Sequence, residues 1–436
     1  MADGAMSPAS EPLNQSSPQA RRRAFRLLFV CLMATGIGNS MLFAILPPLA
    51  RQLEVAEVYV GAIYTLSALL FLTMSPVWGA LSDRVGRRPL IVFGLASFAV
   101  STLVFAAGAW AGQSGLLPPL AAIVAMALAR CLFGGLGSAT NPAAQAYVAD
   151  RTSPFERTSA LAGLTAAFGL GAMIGPALAA AFVERIGIAP FMIVIAALVG
   201  AGALVVRLTL PEKTPPKRQQ GRPINPLVQF RFALDPRLTG FMLFGCAIWL
   251  SQAAGLQAVS FYVMDRLAIG PDEGLQLAGV ALTAGAAALI FAQLAVIPAL
   301  KTSPRVLMIL GGVLMAVGNV GLVFAPNYAG IVVAFMLNSF GFGLGRSGFT
   351  GGASLAVNPE EQGRVAGLTT ATAGVGFLIA PLTGLWLYQA VAPPAPFALN
   401  AALCAAGFAL AVFHPRIRAA AAQAVDTHED AGPGPV

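Results

Sequence analysis

Apolar runs of about 20 residues recur along this chain, separated only by short stretches carrying Pro, Gly and charge. A helix needs about 20 apolar residues to cross a hydrocarbon layer roughly 30 Å thick. Cutting at the punctuation predicts spans at 27–50, 57–79, 89–111, 118–148, 159–183 and 189–209, then at 239–264, 276–300, 305–325, 329–356, 365–391 and 397–413. Twelve such spans make the chain an all-α integral membrane protein. Its composition agrees: 57% hydrophobic residues against 10% charged, with mean hydropathy +0.77, is no balance for a water-soluble domain.

The first run follows Arg21, Arg22, Arg23 and Arg26, as the apolar core of a signal peptide follows its basic flank. It is too long for one and more spans follow, so it reads as an uncleaved first helix. The preceding stretch is rich in Ser, Pro, Ala and Gln without apolar period, and 1–23 is expected to be a disordered cytoplasmic tail. The longest polar interruption, Pro211 to Arg237, holds PEKTPPKRQQGRPINP and divides the spans six and six. The expected order is therefore a six-helix half at 24–210, a cytoplasmic linker at 211–237, a second half at 238–413 and a cytoplasmic tail at 414–436.

A net charge of +8 would raise the question of nucleic acid in a soluble chain, but here the basic residues cluster between apolar runs. With the N-terminus cytoplasmic, 21 of the 26 Lys and Arg lie on the cytoplasmic side. Arg51, Arg185 and Arg266 lie on the far side, and Arg130 and Arg346 within spans. That bias places both termini inside. Cys31, Cys131, Cys246 and Cys404 lie in apolar runs without paired spacing, which speaks against a disulfide framework or a metal site. The segment Ala162–Pro176, AGLTAAFGLGAMIGP, returns as AGLTTATAGVGFLIAP at Ala366–Pro381, offset by 204 to 205 residues. Internal duplication accounts for it, with two halves related by an axis along the membrane normal.

Between spans 2 and 3 stands GALSDRVGRRP, Gly79 to Pro89. Gly79 and Gly86 permit a tight turn and close helix approach, and Asp83 among Arg84, Arg87 and Arg88 forms a compact charge cluster able to latch to another helix end. This segment resembles the signature of the major facilitator superfamily, Gly-x-Leu-(Ser/Ala)-Asp-Arg-x-Gly-Arg-Arg, at every defined position. The resemblance implies the major facilitator fold and a secondary active transporter working by alternating access. It also implies that Gly79, Asp83, Gly86, Arg87 and Arg88 hold the outward-facing form closed on the cytoplasmic side, against span 11 near Glu360 and Arg364. The equivalent turn of the second half, LKTSPRV, has lost the pattern, so the gate is expected to be asymmetric.

Arg130 lies deep in span 4, where a charge is costly unless it faces a cavity or a partner. RCLFG resembles the family's span 4 motif, which links it to proton transfer or substrate contact; packing against backbone carbonyls is the alternative. Gly171, Gly175 and Pro176 in GLGAMIGPALAA resemble the bend motif in span 5 of the twelve-span drug:proton antiporters, with Ala179 and Ala180 in place of its closing glycines. Arg346 lies in span 10. As spans 1, 4, 7 and 10 line the cavity in this superfamily, two arginines without an acid would make it electropositive and suit an anionic or acceptor-rich amphipathic substrate. Asn39, Trp249, Gln252, Gln257 and Tyr262 are further cavity candidates. Gln252 and Gln257, five apart, stand roughly 140° apart on a regular helix and are not expected to act as a pair.

None of the 18 acidic residues falls inside a span core. Proton coupling usually uses a buried carboxylate or His, and His414 and His428 lie near the C-terminus. Asp265 at the end of span 7, or Asp83, would then titrate, or substrate would exchange with the proton at Arg130. Gly343, Gly345 and Gly348 fit GxGxxG inside a span and make no dinucleotide site, and no ATP-binding loop is present. No cofactor, metal or nucleic acid is expected, and no enzymatic activity. By motif the chain resembles exporters that exchange small amphipathic compounds for protons across a bacterial inner membrane, here expected to act as a monomer in the lipid bilayer. A dedicated importer or exporter of one metabolite, or a non-transporting membrane sensor, are the alternatives.

Overall fold

The computed structural model describes residues 18–212, 234–300, 302–358 and 361–418. Twelve helices among them are long and apolar enough to cross a membrane. The first six are α1 (Pro18–Gln52), α2 (Glu57–Val85), α3 (Arg87–Gln113), α4 (Pro119–Ala149), α5 (Pro154–Ile186) and α6 (Ile188–Thr209). The second six are α7 (Thr239–Leu267), α8 (Pro271–Leu300), α9 (Pro304–Phe324), α10 (Tyr328–Leu355), α11 (Gln362–Ala390) and α12 (Ala395–Phe413). Within a bilayer the helix is the form that satisfies its own backbone hydrogen bonds, and outward faces stay apolar, with Leu128, Leu204, Leu294 and Phe324 exposed.

Two helices depart from regularity. A 3₁₀ turn at Gly137–Ala139 interrupts α4 ahead of Pro142, and a π turn at Ala292–Val296 interrupts α8 ahead of Pro298. Helix α1 starts at Pro18, earlier than the predicted tail boundary. Arg21, Arg22 and Arg23 are therefore helical, and Arg21 is held by the Glu156 carboxylate at 3.0 Å.

Packing repeats between the halves. Helix α1 packs on α5, α2 on α4 and α3 on α6; α7 packs on α11, α8 on α10 and α9 on α12. Across the boundary α2 meets α11, and its counterpart α8 meets α5. Because twelve is even, α1 begins and α12 ends at the same end of the bundle, here the termini face; the opposite end is the distal face. The glycines of the GxGxxG-like run serve packing. A Cβ on Gly348 would sit 2.8 Å from Met308 N, and Gly345 faces Gly311 of α9.

Candidate functional site

Arg130 is only 6% exposed, in the middle of α4. Its Nη2 donates to Asn39 Oδ1 of α1 at 3.0 Å and its guanidinium lies 4.5 Å above the Phe133 ring. The backbone is fixed too: Ser67 Oγ of α2 donates to the Arg130 carbonyl at 3.1 Å. Close backbone approach at Gly134, where a Cβ would overlap the Ser67 carbonyl, brings the two helices together. One turn before Ser67, Tyr64 stacks on Phe43 with ring centres 5.2 Å apart. The Tyr64 hydroxyl and Arg130 Nε are buried without a hydrogen-bond partner among the described residues.

In the second half, Arg346 of α10 lies 5.3 Å over the Trp249 ring of α7. Trp249 meets Phe342 edge-on at 4.8 Å and Phe377 of α11 at 6.0 Å. Gln252 is turned into its own half: its Oε1 accepts from Asn338 Nδ2 at 3.4 Å. Asn338 Oδ1 accepts in turn from Asn319 Nδ2 at 2.8 Å, which also donates to Ser251 Oγ at 3.2 Å. Tyr262 is turned away as well, its hydroxyl donating to the Leu322 carbonyl at 2.7 Å and its ring edge-on to Phe397. Gln257, on the other side of an unbroken α7, has neither amide atom bonded among the described residues.

The halves are fastened at the distal face. Arg51, ending α1, reaches both oxygens of Asp265, ending α7, at 3.0 and 2.9 Å, and Glu57 at 2.7 Å. Tyr388 of α11 donates to Asp265 Oδ2 at 2.6 Å. Gln52 donates to Asp272 at 2.9 Å, Gln276 pairs with Glu184, and Ser260 Oγ donates to the Phe43 carbonyl at 2.9 Å. At the termini face ion pairs run inside one half. Arg87 binds Asp83 at 2.6 Å and Asp150 at 3.0 Å, and Arg237 binds Asp235 at 2.8 Å and Glu361 at 3.1 Å. Among the described residues, the side-chain bonds that cross between the halves thus lie toward the distal face.

In the turn between α2 and α3, Gly86 has φ 105°, where a side chain would be strained, and its N–H returns to the Ser82 carbonyl. The turn is occupied from its own half. Arg88 N donates to Glu212 at 2.6 Å, which places a carboxylate at the positive start of α3, and Arg88 Nη1 donates to the Leu210 carbonyl at 3.2 Å. Gly79 faces Pro142 across α2 and α4. Asp83 is about half exposed and directed to Arg87; of its expected partners on α11, Glu360 lies outside the described residues. At the corresponding turn of the second half Arg305 donates to the Ala411 and Val412 carbonyls, closing the end of α12. On α5, methyls at Gly171 and Gly175 would overlap Met33 O and Ser40 Oγ of α1, so the two helices meet backbone to backbone.

The structure thus brings together Asn39 and Arg130, and Arg346 with Trp249; Gln252 and Tyr262 are engaged inside their half, and Asp265 lies in the distal fastening. Tyr64, Phe133, Arg51 and Tyr388 escaped the reading of the sequence. The aromatic residues stand among apolar neighbours that give no sign of a polar task, whereas opposite charges ending equivalent spans 1 and 7 were a usable signal for Arg51 with Asp265.

A sequence profile described as Major Facilitator Superfamily matches residues 28–300 and 274–432. The class G tetracycline resistance protein of Vibrio anguillarum is 28% identical over 84% of this chain and 90% of its own length. Multidrug resistance protein 1 of Bacillus subtilis is 28% identical over 44% of this chain and 47% of its own. Among solved structures, a bacterial homologue of the human lysosomal transporter Spinster, inward-facing and occupied, superposes with TM-score 0.65 at 15% identity, covering 95% of this chain and 98% of that one. A point mutant of the nucleoside transporter NupG superposes with TM-score 0.71 at 12% identity, covering 89% and 98%.

Proposed function

This chain belongs to the major facilitator superfamily, and from that premise we propose that it is a proton-coupled exporter of small amphipathic compounds working by alternating access. The observation that carries the reading is the pair of arginines set within spans, in halves fastened to each other at the distal end, which would leave a cleft between them open at the other. Arg130 and Arg346 each rest on an aromatic ring, and neither has a carboxylate partner among the described residues. A cation held at such depth is costly, about 2.5–3.5 kcal/mol at a span centre, unless it serves a ligand or a proton path.

The termini face is the cytoplasmic one on the positive-inside rule, which sets the cleft open to the cytoplasm of a bacterial inner-membrane protein acting as a monomer. Asp83, paired here with Arg87, would exchange that partner for the cytoplasmic end of α11 when the cleft closes. Gly171, Gly175 and Pro176 would let α5 move against α1. Asp265 in the distal fastening or Asp83 would carry the proton, or substrate would exchange with it at Arg130. The electropositive walls favour a second reading, a dedicated carrier of one anionic metabolite.

Accumulation of tetracycline and of fluorescent dyes in efflux-deficient cells, with and without a protonophore, tests the proposal. Lower accumulation in cells expressing the chain, lost with protonophore and in Asp83→Asn and Arg130→Ala, is expected. Accumulation equal to empty vector with the protein present in the membrane would overturn export and favour the metabolite carrier.

A further inference from the structure

Gln257 is 1% exposed, yet both ends of its amide lack a partner among the described residues. The other buried carboxamides behave differently: Gln252, Asn338, Asn319 and Asn400 each make at least one protein hydrogen bond. A buried amide left unbonded costs on the order of 1–3 kcal/mol, so such a group marks a place where something else completes the bonding. Position says what it faces. Gln257 stands one turn of α7 before Ser260, whose hydroxyl bonds the Phe43 carbonyl across the boundary between the halves. Along α1 the same step back from Phe43 reaches Asn39 and Ser40, and Asn39 holds Arg130. Phe43 also stacks on Tyr64, one turn before Ser67, whose hydroxyl bonds the Arg130 carbonyl.

We infer that Gln257 is the residue by which the second half reads the substrate, opposite Arg130 and Tyr64 of the first half. This rests on the export reading above and deepens it by naming the substrate class. The unbonded groups are three donors, Gln257 Nε2–H, Arg130 Nε–H and Tyr64 O–H, and one obligate acceptor, Gln257 Oε1. Their complement is an uncharged or anionic group that carries a carbonyl acceptor, met in full where an N–H or O–H donor stands beside it, a carboxamide being the smallest example, and met by the arginine alone where the group is an anion with acceptors only. Its flat apolar body would lie along the rings of Phe43 and Phe133. A ligand bonded from both halves at the closed end of the cleft also ties their relative position to occupancy.

The test uses the full chain in everted vesicles from efflux-deficient cells, with transport scaled to protein in the membrane. The probes are chloramphenicol (an uncharged secondary amide), nalidixate (an anion with acceptors only) and ethidium (a cation without a carbonyl). The wild-type chain should move chloramphenicol and nalidixate. Gln257→Leu should cut chloramphenicol transport about tenfold or more, and nalidixate, which needs the arginine rather than the amide, threefold at most. Gln257→Glu, nearly isosteric, should lose nalidixate and admit ethidium, an exchange of preference that a packing role would not produce. Equal loss of both probes in Gln257→Leu, or no gain of ethidium in a folded Gln257→Glu, would overturn the assignment while leaving export standing. Wild-type transport of nalidixate alone would overturn the substrate class. If the wild-type chain moves none of the three, the export reading falls and this one with it.

Discussion

Arg130 and Arg346 hold the same charge in different ways, and the difference decides what each substitution should do. Arg130 is fixed by Asn39, by stacking on Phe133 and by Ser67 on its backbone. A lysine keeps the charge but neither the planar stacking nor the forked donors. Arg130→Lys is therefore expected to lose at least tenfold in transport, although the protein still reaches the membrane. Arg346 is half-buried and rests on Trp249, with no side-chain hydrogen bond among the described residues. Arg346→Gln should raise KM for an anionic probe about tenfold and leave an uncharged probe within twofold; undiminished transport of the anion would defeat an electropositive cavity. Both arginines were legible in the sequence because charge at span depth is rare. The angular argument also separated Gln252 from Gln257, and α7 keeps them on different sides. Tyr64 and Phe133 were not legible, since an aromatic residue in an apolar run looks the same whether it packs or lines a cleft.

Among helices, the crossings between the halves are built on the duplicated segments. Gly61 of α2 lies against the Pro381 carbonyl of α11, where a Cβ would stand 2.6 Å away, and Gly279 of α8 lies against the Pro176 carbonyl of α5, at 2.8 Å. Pro176 and Pro381 are the matched ends of the repeat, so one internal symmetry supplies both close approaches. Gly61→Leu or Gly279→Leu should hold the distal ends apart. A cysteine introduced at Gln52 should then react several-fold faster with an impermeant maleimide applied from outside, and transport should fall; unchanged labelling would show that these crossings do not set closure. The repeat itself could be read from the sequence, but its partners could not, because Gly61 and Gly279 lie in stretches with little local signature. The break in α4 was hidden for a related reason, as Gly and Pro are tolerated inside spans wherever neighbours take up the freed groups.

At the entrance to α7, Arg237 grips Glu361 with two bonds of 3.1 Å and also binds Asp235. These bonds hold both carboxyls below the usual carboxylate range and push the guanidinium up. Groups whose folded values are lowered stabilise the fold above their unfolded values, near pH 4, and lose that contribution as pH falls through the folded ones. Thermal stability of the purified protein should drop between pH 5 and pH 3, and Arg237→Ala should flatten that part of the profile. The effect should be small because the cluster is only partly buried and solvent screens it.

For the molecule as a whole, the question under the alternating-access proposal is which of two states the contacts favour. The fold could be read from span count and the family signature, but the state could not: on that proposal the chain must carry surfaces for both closures, and local sequence does not rank them. In this state the distal fastening is the made one. Arg51 and Asp265 are 35% and 32% exposed, so their pair contributes on the order of 1 kcal/mol or less. A change of that size still moves a two-state population several-fold, since about 1.4 kcal/mol is tenfold. Asp265→Asn removes the ion pair yet leaves an oxygen for the Tyr388 hydroxyl, so it should shift the population toward the distally open form without unfolding the protein. The maleimide assay at Gln52→Cys should read that shift as about two- to fivefold faster labelling. Exchanging the charges, Arg51→Asp with Asp265→Arg, should restore slow labelling only in part, because the reversed pair sets a carboxylate against Glu57, now 2.7 Å from the Arg51 guanidinium. Adding Glu57→Gln to the exchanged pair removes that repulsion and should bring labelling close to the wild-type rate; failure of both exchanges would mean that Arg51 and Asp265 act separately and that the distal face is held by its apolar and glycine contacts instead.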